Sequence, residues 1–458
     1  MALRKKIVLS LIVLLMGITG WAHGPAISNE SAANNDGQIV RLWNQIATDA
    51  IVVTGANAPA SSGVLMAIVQ LGVYDAVVAI AGGYEPYAAS ITAPAGASVD
   101  AAVAQSAHDV LVGLLPSQAF ALGAQLATSL ATIPNGVAKA DGIWVGQQAA
   151  AAILANRTGD GRFANAPYTF LPSGPGAYQP TPPAFSTTPL VPWVAQVRPF
   201  TMTNPSQFRP GPPPSLNSRR WANGYNLTKA YGDANGTLRN ADQSEIAIFW
   251  TENTVRQWNR NIRSQAGREA LDDIQTARLL AVTNTAMADA WIGCWDAKYH
   301  YSFWRPVTAI RQGDTDGRLD TIGDPNWTPL VTTPNHPEYP GAHACVSTAA
   351  SHALRRFFRR DQTTFPMDSV VGGITYVHTF TRYTDAGAEA RTARIFGGMH
   401  YTFSNEAGAG LGRQVVRWMF ANGCFRRTHP HDEWNRRATS NTHVGCTSNA
   451  NDDDDQHD

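Results

Sequence analysis

A proline-rich segment limits the folds open to this chain, because no regular helix can run through it. Half of the 28 prolines of the 458-residue sequence lie between Pro167 and Pro214. Proline lacks the N–H donor that a helix needs, and its ring clashes with the preceding turn. Aromatic residues are frequent in the same segment, which argues against a free linker. We expect a long ordered loop that either lines a pocket or acts as a plain strap between domains.

The regions on both sides of this segment have the residue spacing of helices. From 38 to 158 the chain is rich in alanine, with apolar residues three or four positions apart and stop signals such as Gly82-Gly83. A second region runs from about Ser218 to Phe425, and its longest periodic stretch, Leu271 to Phe303, should end at Pro306. The pattern predicts an all-α fold of two helical bundles joined by the proline-rich loop.

The beginning of the chain has the features of an export signal. Arg4, Lys5 and Lys6 precede an apolar stretch from Ile7 to Ile18, and small residues follow up to Ala22. We therefore expect a secreted or periplasmic protein that is cleaved near Ala22, with a membrane anchor or a buried first helix as the alternatives. The predicted segments are 1–22 as signal peptide, 23–166 as N-terminal bundle, 167–215 as connecting segment, 216–425 as C-terminal bundle with the active site, and 426–458 as a polar, partly disordered tail.

Composition excludes some classes of function. The formal net charge is zero and only 15% of the residues are charged, so the chain is not a basic nucleic-acid binder. No apolar run reaches the roughly 18 to 20 residues that cross a bilayer, so we expect the mature protein not to be embedded in a membrane.

The four cysteines allow three pairings in an oxidising compartment. We expect a disulfide between Cys424 and Cys446, which lie in the same polar stretch. Cys294 and Cys345 are expected to stay reduced as small buried residues.

Three short segments of the second region carry residues suited to chemistry. In the first, Lys298 and Arg305 are seven residues apart and are followed by Pro306. On one helix, that spacing places both cations on the same face. Two long cations suit an anion with several oxygens, although a solvated helix face gives the same pattern.

The second segment, from His336 to His343, is a loop of prolines and glycine that leads into a predicted helix from Ala344 to Phe358. A loop that ends at a helix start offers unpaired N–H groups and the positive end of the helix dipole to an anion. His343 at this place is a candidate acid or base near neutral pH, and a surface cap is the alternative.

The third segment contains Arg394 and His400 on either side of Gly397-Gly398, with a helix predicted from about Asn405 to Asn422. The two glycines should break the helix and allow both side chains to turn toward one point. By itself this arrangement is weak evidence, because in most proteins a single histidine at such a place is structural.

Taken in order, the three segments read K-x6-R-P at 298–306, P-G-A-H at 340–343 and A-R-x5-H at 393–400. This order resembles the signature K-x6-R-P, P-S-G-H, S-R-x5-H-x3-D of the type 2 phosphatidic acid phosphatase and vanadium-dependent haloperoxidase superfamily. The residues that flank these motifs are similar to those of the exported bacterial haloperoxidase-like branch of this superfamily.

The resemblance implies a role for each matching residue. Lys298, Arg305 and Arg394, with the backbone of Gly341 and Ala342, would hold the oxygens of vanadate or phosphate. His343 would be the acid/base residue. His400 would bond the central atom, as the ligand of vanadium or as a phosphorylated nucleophile.

The activity that follows from this resemblance is a vanadium-dependent haloperoxidase, which oxidises bromide or chloride with hydrogen peroxide to hypohalous acid and needs no haem or flavin. A small organic substrate is a further possible partner. One alternative is a secreted acid phosphatase with His400 as nucleophile and phosphate in place of vanadate. The other is a non-catalytic protein that binds an oxyanion.

The sequence departs from the family pattern at two places. Gly341 and Ala342 stand where serine and glycine are usual, so one hydroxyl donor is lost while the backbone N–H groups are expected to remain. Ser404 replaces the aspartate that supports the metal-binding histidine, and its loss should weaken that support. Asn405 or Glu406 could substitute for this carboxylate, and Asp296 could serve elsewhere around the site.

Overall fold

A computed structural model describes residues 36–428. The predicted signal peptide, Cys446 and most of the predicted tail lie outside these residues. Export of the protein and the Cys424–Cys446 disulfide therefore stay predictions. The domain boundaries stay predictions as well.

Five α-helices make up the region before the proline-rich segment, and each boundary follows from local chemistry. Helix α2 starts with Pro59 at its first position, where proline's missing N–H is not needed. Ser98 caps α3, because its hydroxyl accepts a hydrogen bond from the amide of Ala101 at 3.2 Å. The helices are α1 (Gln38–Thr48), α2 (Pro59–Ala81), α3 (Val99–Leu114), α4 (Ala119–Ala131) and α5 (Val137–Asn156).

Helix α2 is the buried core helix of this region. By length and composition it alone among the described helices could cross a membrane. However, 83% of its most apolar 18-residue stretch is buried inside the protein. Gly63 allows its close approach to the second region, because a Cβ there would lie 2.4 Å from the indole ring of Trp291. The two helical regions therefore share a core.

The second region contains eight α-helices among the described residues. Asp272 and Gln275 form a reciprocal cap at the start of its longest helix, α9. The helices are α6 (Arg219–Gly232), α7 (Ala241–Phe249), α8 (Thr254–Arg268), α9 (Asp273–Tyr301), α10 (Pro306–Arg311), α11 (Ala342–Phe358), α12 (Tyr383–Phe396) and α13 (Thr402–Ala421).

The end of α9 differs from the sequence prediction. The helix stops at Tyr301, where Ser302 adopts a left-handed conformation with φ of 45°, and Pro306 begins α10 instead of ending α9. Arg305 therefore does not share a helix with Lys298: it is the extended residue that precedes α10. Its side chain is brought toward Lys298 by this turn in the chain and not by helical spacing.

The proline-rich segment has no α-helix, as proline chemistry requires, and is fixed along α9. Asp289 of α9 accepts hydrogen bonds from the amides of Phe200, Thr201 and Met202. Further along the segment, Arg209 forms an ion pair with Asp296 at 2.7 Å. These contacts join the segment directly to the helix that carries Lys298.

A β-hairpin interrupts the region that we predicted to be helical. Strand β1 (Gln362–Val371) pairs antiparallel with β2 (Ile374–Arg382) around Gly372 and Gly373, which both have positive φ. The sequence carries the signal for it, because runs of β-branched residues flank two glycines. The all-α prediction is otherwise confirmed.

Helices α11 and α13 approach each other closely and frame one side of the site. A Cβ at Gly412 would lie 2.3 Å from the carbonyl oxygen of Cys345, so a larger residue would separate the two helices. Cys294 and Cys345 are buried free thiols, in agreement with the prediction. The close contact between Gly412 and Cys345 fixes the two helices relative to each other.

Candidate functional site

The five charged or ligating residues singled out by the sequence meet in the interior of the second region. Lys298 and Arg305 are fully buried, and Arg394 and His400 are 2% and 1% exposed. His343 is half-buried in the first turn of α11. Each comes from a different element, so the packing of α9 to α13 creates the cluster.

Arg305 joins the histidine loop to His400. One of its terminal nitrogens lies 3.3 Å from Nε2 of His400 and also donates to the carbonyl of Met399. Its Nε donates to the carbonyl of His336 at 2.8 Å. Nε2 of His400 is therefore directed toward the guanidinium group of Arg305.

Lys298 holds the loop that precedes α11. Its ammonium group donates to the carbonyl oxygens of Pro337, Glu338 and Pro340, which uses all three of its N–H groups. Burial, followed by the nearby Arg305, lowers the pKa of Lys298 to about 8. Contact with a ligand oxygen therefore requires that one of these carbonyl bonds be exchanged.

His400 is oriented by a buried carboxylate that the sequence analysis did not assign. Oε1 of Glu338 lies 2.8 Å from Nδ1 of His400, and neither side chain is exposed by more than 1%. The hydroxyl of Ser404 donates to Oε2 of Glu338 at 2.7 Å, and the amide of Tyr401 donates to Oε1. Because Nδ1 donates to the carboxylate, the lone pair of His400 lies on Nε2, which faces the guanidinium group of Arg305. Burial raises the pKa of Glu338 to about 7.

Glu338 supplies the carboxylate that is missing at position 404. Glu406, expected as a substitute, and Asp296, expected elsewhere around the site, both pair with other residues. Glu406 forms an exposed ion pair with Arg220, and Asp296 pairs with Arg209. The sequence signal for Glu338 was available, because it is the only acidic residue between His336 and His343.

His343 has a different environment. One ring nitrogen, Nε2, lies 3.0 Å from the hydroxyl of Thr254, and no ion pair to a carboxylate is formed within residues 36–428. Burial, followed by the positive charge of Arg394, lowers the pKa of His343 well below its usual range. Both effects favour the neutral form of the ring.

His336 is a further residue of the cluster that the sequence analysis did not include among the site residues. It is buried, lies 2.9 Å from a terminal nitrogen of Arg305 through Nδ1, and packs against Trp295 with ring centroids 4.8 Å apart. Burial, followed by Arg305 and Lys298, lowers its pKa. Its ring therefore lines the site beside Arg305 as a neutral polar group.

The backbone at Gly341 and Ala342 offers less than expected. The amide of Gly341 donates to the carbonyl of Ser404 at 2.9 Å, so it is not available to an anion in this arrangement. The amide of Ala342 is the first of α11 and points out of the helix N-terminus, where the dipole favours negative charge.

The charges of the cluster fit a tetrahedral oxyanion. The cluster contains three buried cations, Lys298, Arg305 and Arg394, and one buried carboxylate, Glu338. Nε of Arg394 is buried and has no hydrogen-bond acceptor in the described part of the chain. Burying such an excess of positive charge is costly without an anion, so the residues suit vanadate or phosphate held at Nε2 of His400.

A cavity of about 380 Å³ lies between α6, α7, α12 and α13. Its walls include Tyr231, Arg391, Phe396 and Asn405. The side chain of Asn405 also lies beside Gly341 at the start of α11.

The second region of the chain is similar to known proteins. A family model described as the VCPO second helical-bundle domain matches residues 278–425, which contain every residue of the cluster. A vanadium chloroperoxidase from Curvularia inaequalis is 29% identical over 150 residues, which are 27% of this chain and 24% of that protein. The match therefore spans about a quarter of the relative's length.

Solved structures are similar over much more of the chain. The crystal structure of a bacterial vanadium-dependent iodoperoxidase matches with a TM-score of 0.72 and 24% identity, covering 85% of this chain and 97% of that one. A bacterial vanadium-dependent chloroperoxidase in its holo form matches with a TM-score of 0.63 and 19% identity, covering 79% and 91%. These matches establish the shared fold.

Proposed function

The chain belongs to the vanadium haloperoxidase superfamily, and on this premise we propose that it oxidises a halide with hydrogen peroxide to hypohalous acid at a histidine-bound vanadate. The observation that carries the proposal is His400: Glu338 holds its Nδ1 while Nε2 faces a group of buried cations. A lone pair fixed in this way suits a bond to the central atom of an oxyanion.

Each residue of the cluster has a part in this proposal. Lys298, Arg305 and Arg394 hold the oxygens of vanadate, and His400 binds its central atom. When bound, vanadate supplies a Lewis acid that activates hydrogen peroxide. The neutral ring of His343 accepts a proton from the arriving peroxide.

The protonation of His343 supports the peroxidase over the phosphatase. A phosphatase needs a protonated acid to assist the leaving oxygen, yet the pKa of His343 is lowered and Thr254, not a carboxylate, is its neighbour at Nε2. A base is what peroxide activation needs.

The test follows the oxidation of halide by the full-length protein. Purified protein loaded with vanadate in phosphate-free buffer is given hydrogen peroxide, a halogen-accepting dye and iodide, bromide or chloride in turn. Halogenation that requires vanadate and is lost in His400→Ala is expected. His352→Ala, on α11 but outside the cluster, serves as the matched control and should retain activity.

Other outcomes point to the two alternatives. Hydrolysis of p-nitrophenyl phosphate that vanadate inhibits, without halogenation, would identify a phosphatase. Binding of vanadate with neither activity would identify a non-catalytic oxyanion-binding protein.

A further inference from the structure

Gly341 has no conformational need to be glycine. Its φ of −68° and ψ of 116° are open to any residue. The space for a side chain is nevertheless taken, because a Cβ at this position would lie 2.5 Å from Oδ1 of Asn405. A serine at 341, the residue usual in the family signature, cannot fit unless Asn405 moves.

Asn405 is buried and only partly satisfied. It is 4% exposed, and its Nδ2 donates to the carbonyl of Arg391 at 3.0 Å. That bond directs Oδ1 toward Gly341. Oδ1 is buried without a hydrogen-bond donor among residues 36–428. A buried acceptor of this kind is costly unless a ligand supplies the donor.

We propose that Asn405 is an oxyanion-binding residue, which stands where the family serine would be and accepts a hydrogen bond from a hydroxyl of a protonated tetrahedral oxyanion. This inference rests on the proposed function for the position of the anion. It goes further in naming the form that is bound: hydrogen vanadate or hydrogen phosphate, which carry a hydroxyl.

An asparagine carbonyl oxygen and a serine hydroxyl differ in the hydrogen bonds that they can form with an anion. The serine can donate to any anionic oxygen, whereas Oδ1 can only accept. Sulfate has the same shape as phosphate but carries no hydroxyl near neutral pH. Asn405 should therefore favour phosphate over sulfate, and a serine at 341 should not make this distinction.

The experiment measures anion affinity by calorimetry on the full chain, with phosphate, vanadate and sulfate as separate probes. Four proteins are compared: wild type, Asn405→Ala, Gly341→Ser, and the double variant Gly341→Ser/Asn405→Ala. Asn261→Ala is the matched control, because Asn261 is a buried asparagine that contacts the backbone of Asp368. Thermal unfolding without anion checks that each variant is folded.

We expect Asn405→Ala to weaken phosphate and vanadate binding about fivefold to tenfold and to leave sulfate binding unchanged or stronger. In the double variant, phosphate affinity should return and sulfate affinity should rise, because the serine then has room to donate. Gly341→Ser alone should lower thermal stability, whereas the double variant should recover it. Asn261→Ala should leave the ratio of phosphate to sulfate affinity unchanged.

Three results would overturn the inference. Wild-type protein that binds neither phosphate nor vanadate would remove the proposed function as well. Wild-type binding with an unchanged phosphate-to-sulfate ratio in Asn405→Ala would remove only the role of Asn405. Equal weakening of all three anions, together with a lower unfolding temperature and no recovery in the double variant, would make Asn405 a structural residue.

Discussion

Oε1 of Glu338 lies 2.8 Å from Nδ1 of His400 in the interior of the protein. The pair joins the loop before α11 to the loop before α13, and the hydroxyl of Ser404 completes it. The carboxylate thus reaches the histidine from a different segment than the family pattern led us to expect, while the histidine keeps its orientation.

Replacing this carboxylate by an amide should weaken the binding of vanadate without weakening the binding of sulfate. Glu338→Gln keeps the acceptor for Nδ1 but removes the charge that raises the basicity of Nε2. We expect vanadate affinity to fall about 10- to 100-fold, while sulfate, which forms no bond to His400, is bound no more weakly. Ser404→Ala, which removes one hydrogen bond, should have a smaller effect. Equal loss for vanadate and sulfate would contradict this account.

The two histidines should differ in their importance for vanadate. His400→Ala should abolish vanadate binding, because the atom that bonds the metal is removed. His343→Ala should change vanadate affinity little and reduce turnover instead. Equilibrium dialysis with vanadate measures both, and an equal loss of affinity in the two variants would show that their roles are not divided in this way.

Lys298 gives anion binding a pH dependence. Its pKa of about 8 is below its ordinary value, so the free site loses this proton as the pH rises above about 8. A bound anion favours the charged form, and binding must then take up a proton. Sulfate affinity should fall by up to about tenfold per pH unit in this range.

Sulfate does not titrate in this interval, so the fall reports on the protein. Lys298→Met, checked for folding, should bind sulfate more weakly near neutral pH and show a shallower decline. A decline of the same steepness in the variant would assign it to other groups.

Asp289 should be important for stability and not for anion binding. It accepts hydrogen bonds from three consecutive amides and from the hydroxyl of Thr201. Asp289→Asn replaces one acceptor oxygen by an NH2 group that faces these donors, so the free energy of unfolding should fall by about 2 to 4 kcal/mol. Asp296→Asn, which loses a partly exposed ion pair, should cost less than about 1 kcal/mol. Urea denaturation compares them, and similar losses would argue against this account of how the segment is anchored.

Thr254 should position His343 without holding the anion. Thr254→Val keeps the shape and removes the hydroxyl that lies 3.0 Å from Nε2. We expect vanadate affinity to stay unchanged and kcat for halide oxidation to fall about tenfold. Thr254→Ser should restore kcat. A loss of vanadate affinity in Thr254→Val would instead place Thr254 at the anion.

Much of the local structure could be read from the sequence. Apolar spacing predicted the helices on both sides of the proline-rich segment, and the predicted stretch from Leu271 to Phe303 became α9 from Asp273 to Tyr301. Gly397-Gly398 ended α12 as expected. Helical spacing was nevertheless the wrong reason for the closeness of Lys298 and Arg305, because Ser302 ends the helix between them.

By itself the sequence determined that the chain is mainly helical and identified the cationic and histidine residues, because helical spacing depends on interactions between neighbours along the chain. Tertiary structure alone decided which side chains complete the site. Glu338 meets His400 across 62 residues, and Asn405 of α13 fills the space beside Gly341 at the start of α11. Spacing along a chain reports which face of one element a residue occupies. It does not report the distance between two elements, which is fixed by how their buried surfaces pack.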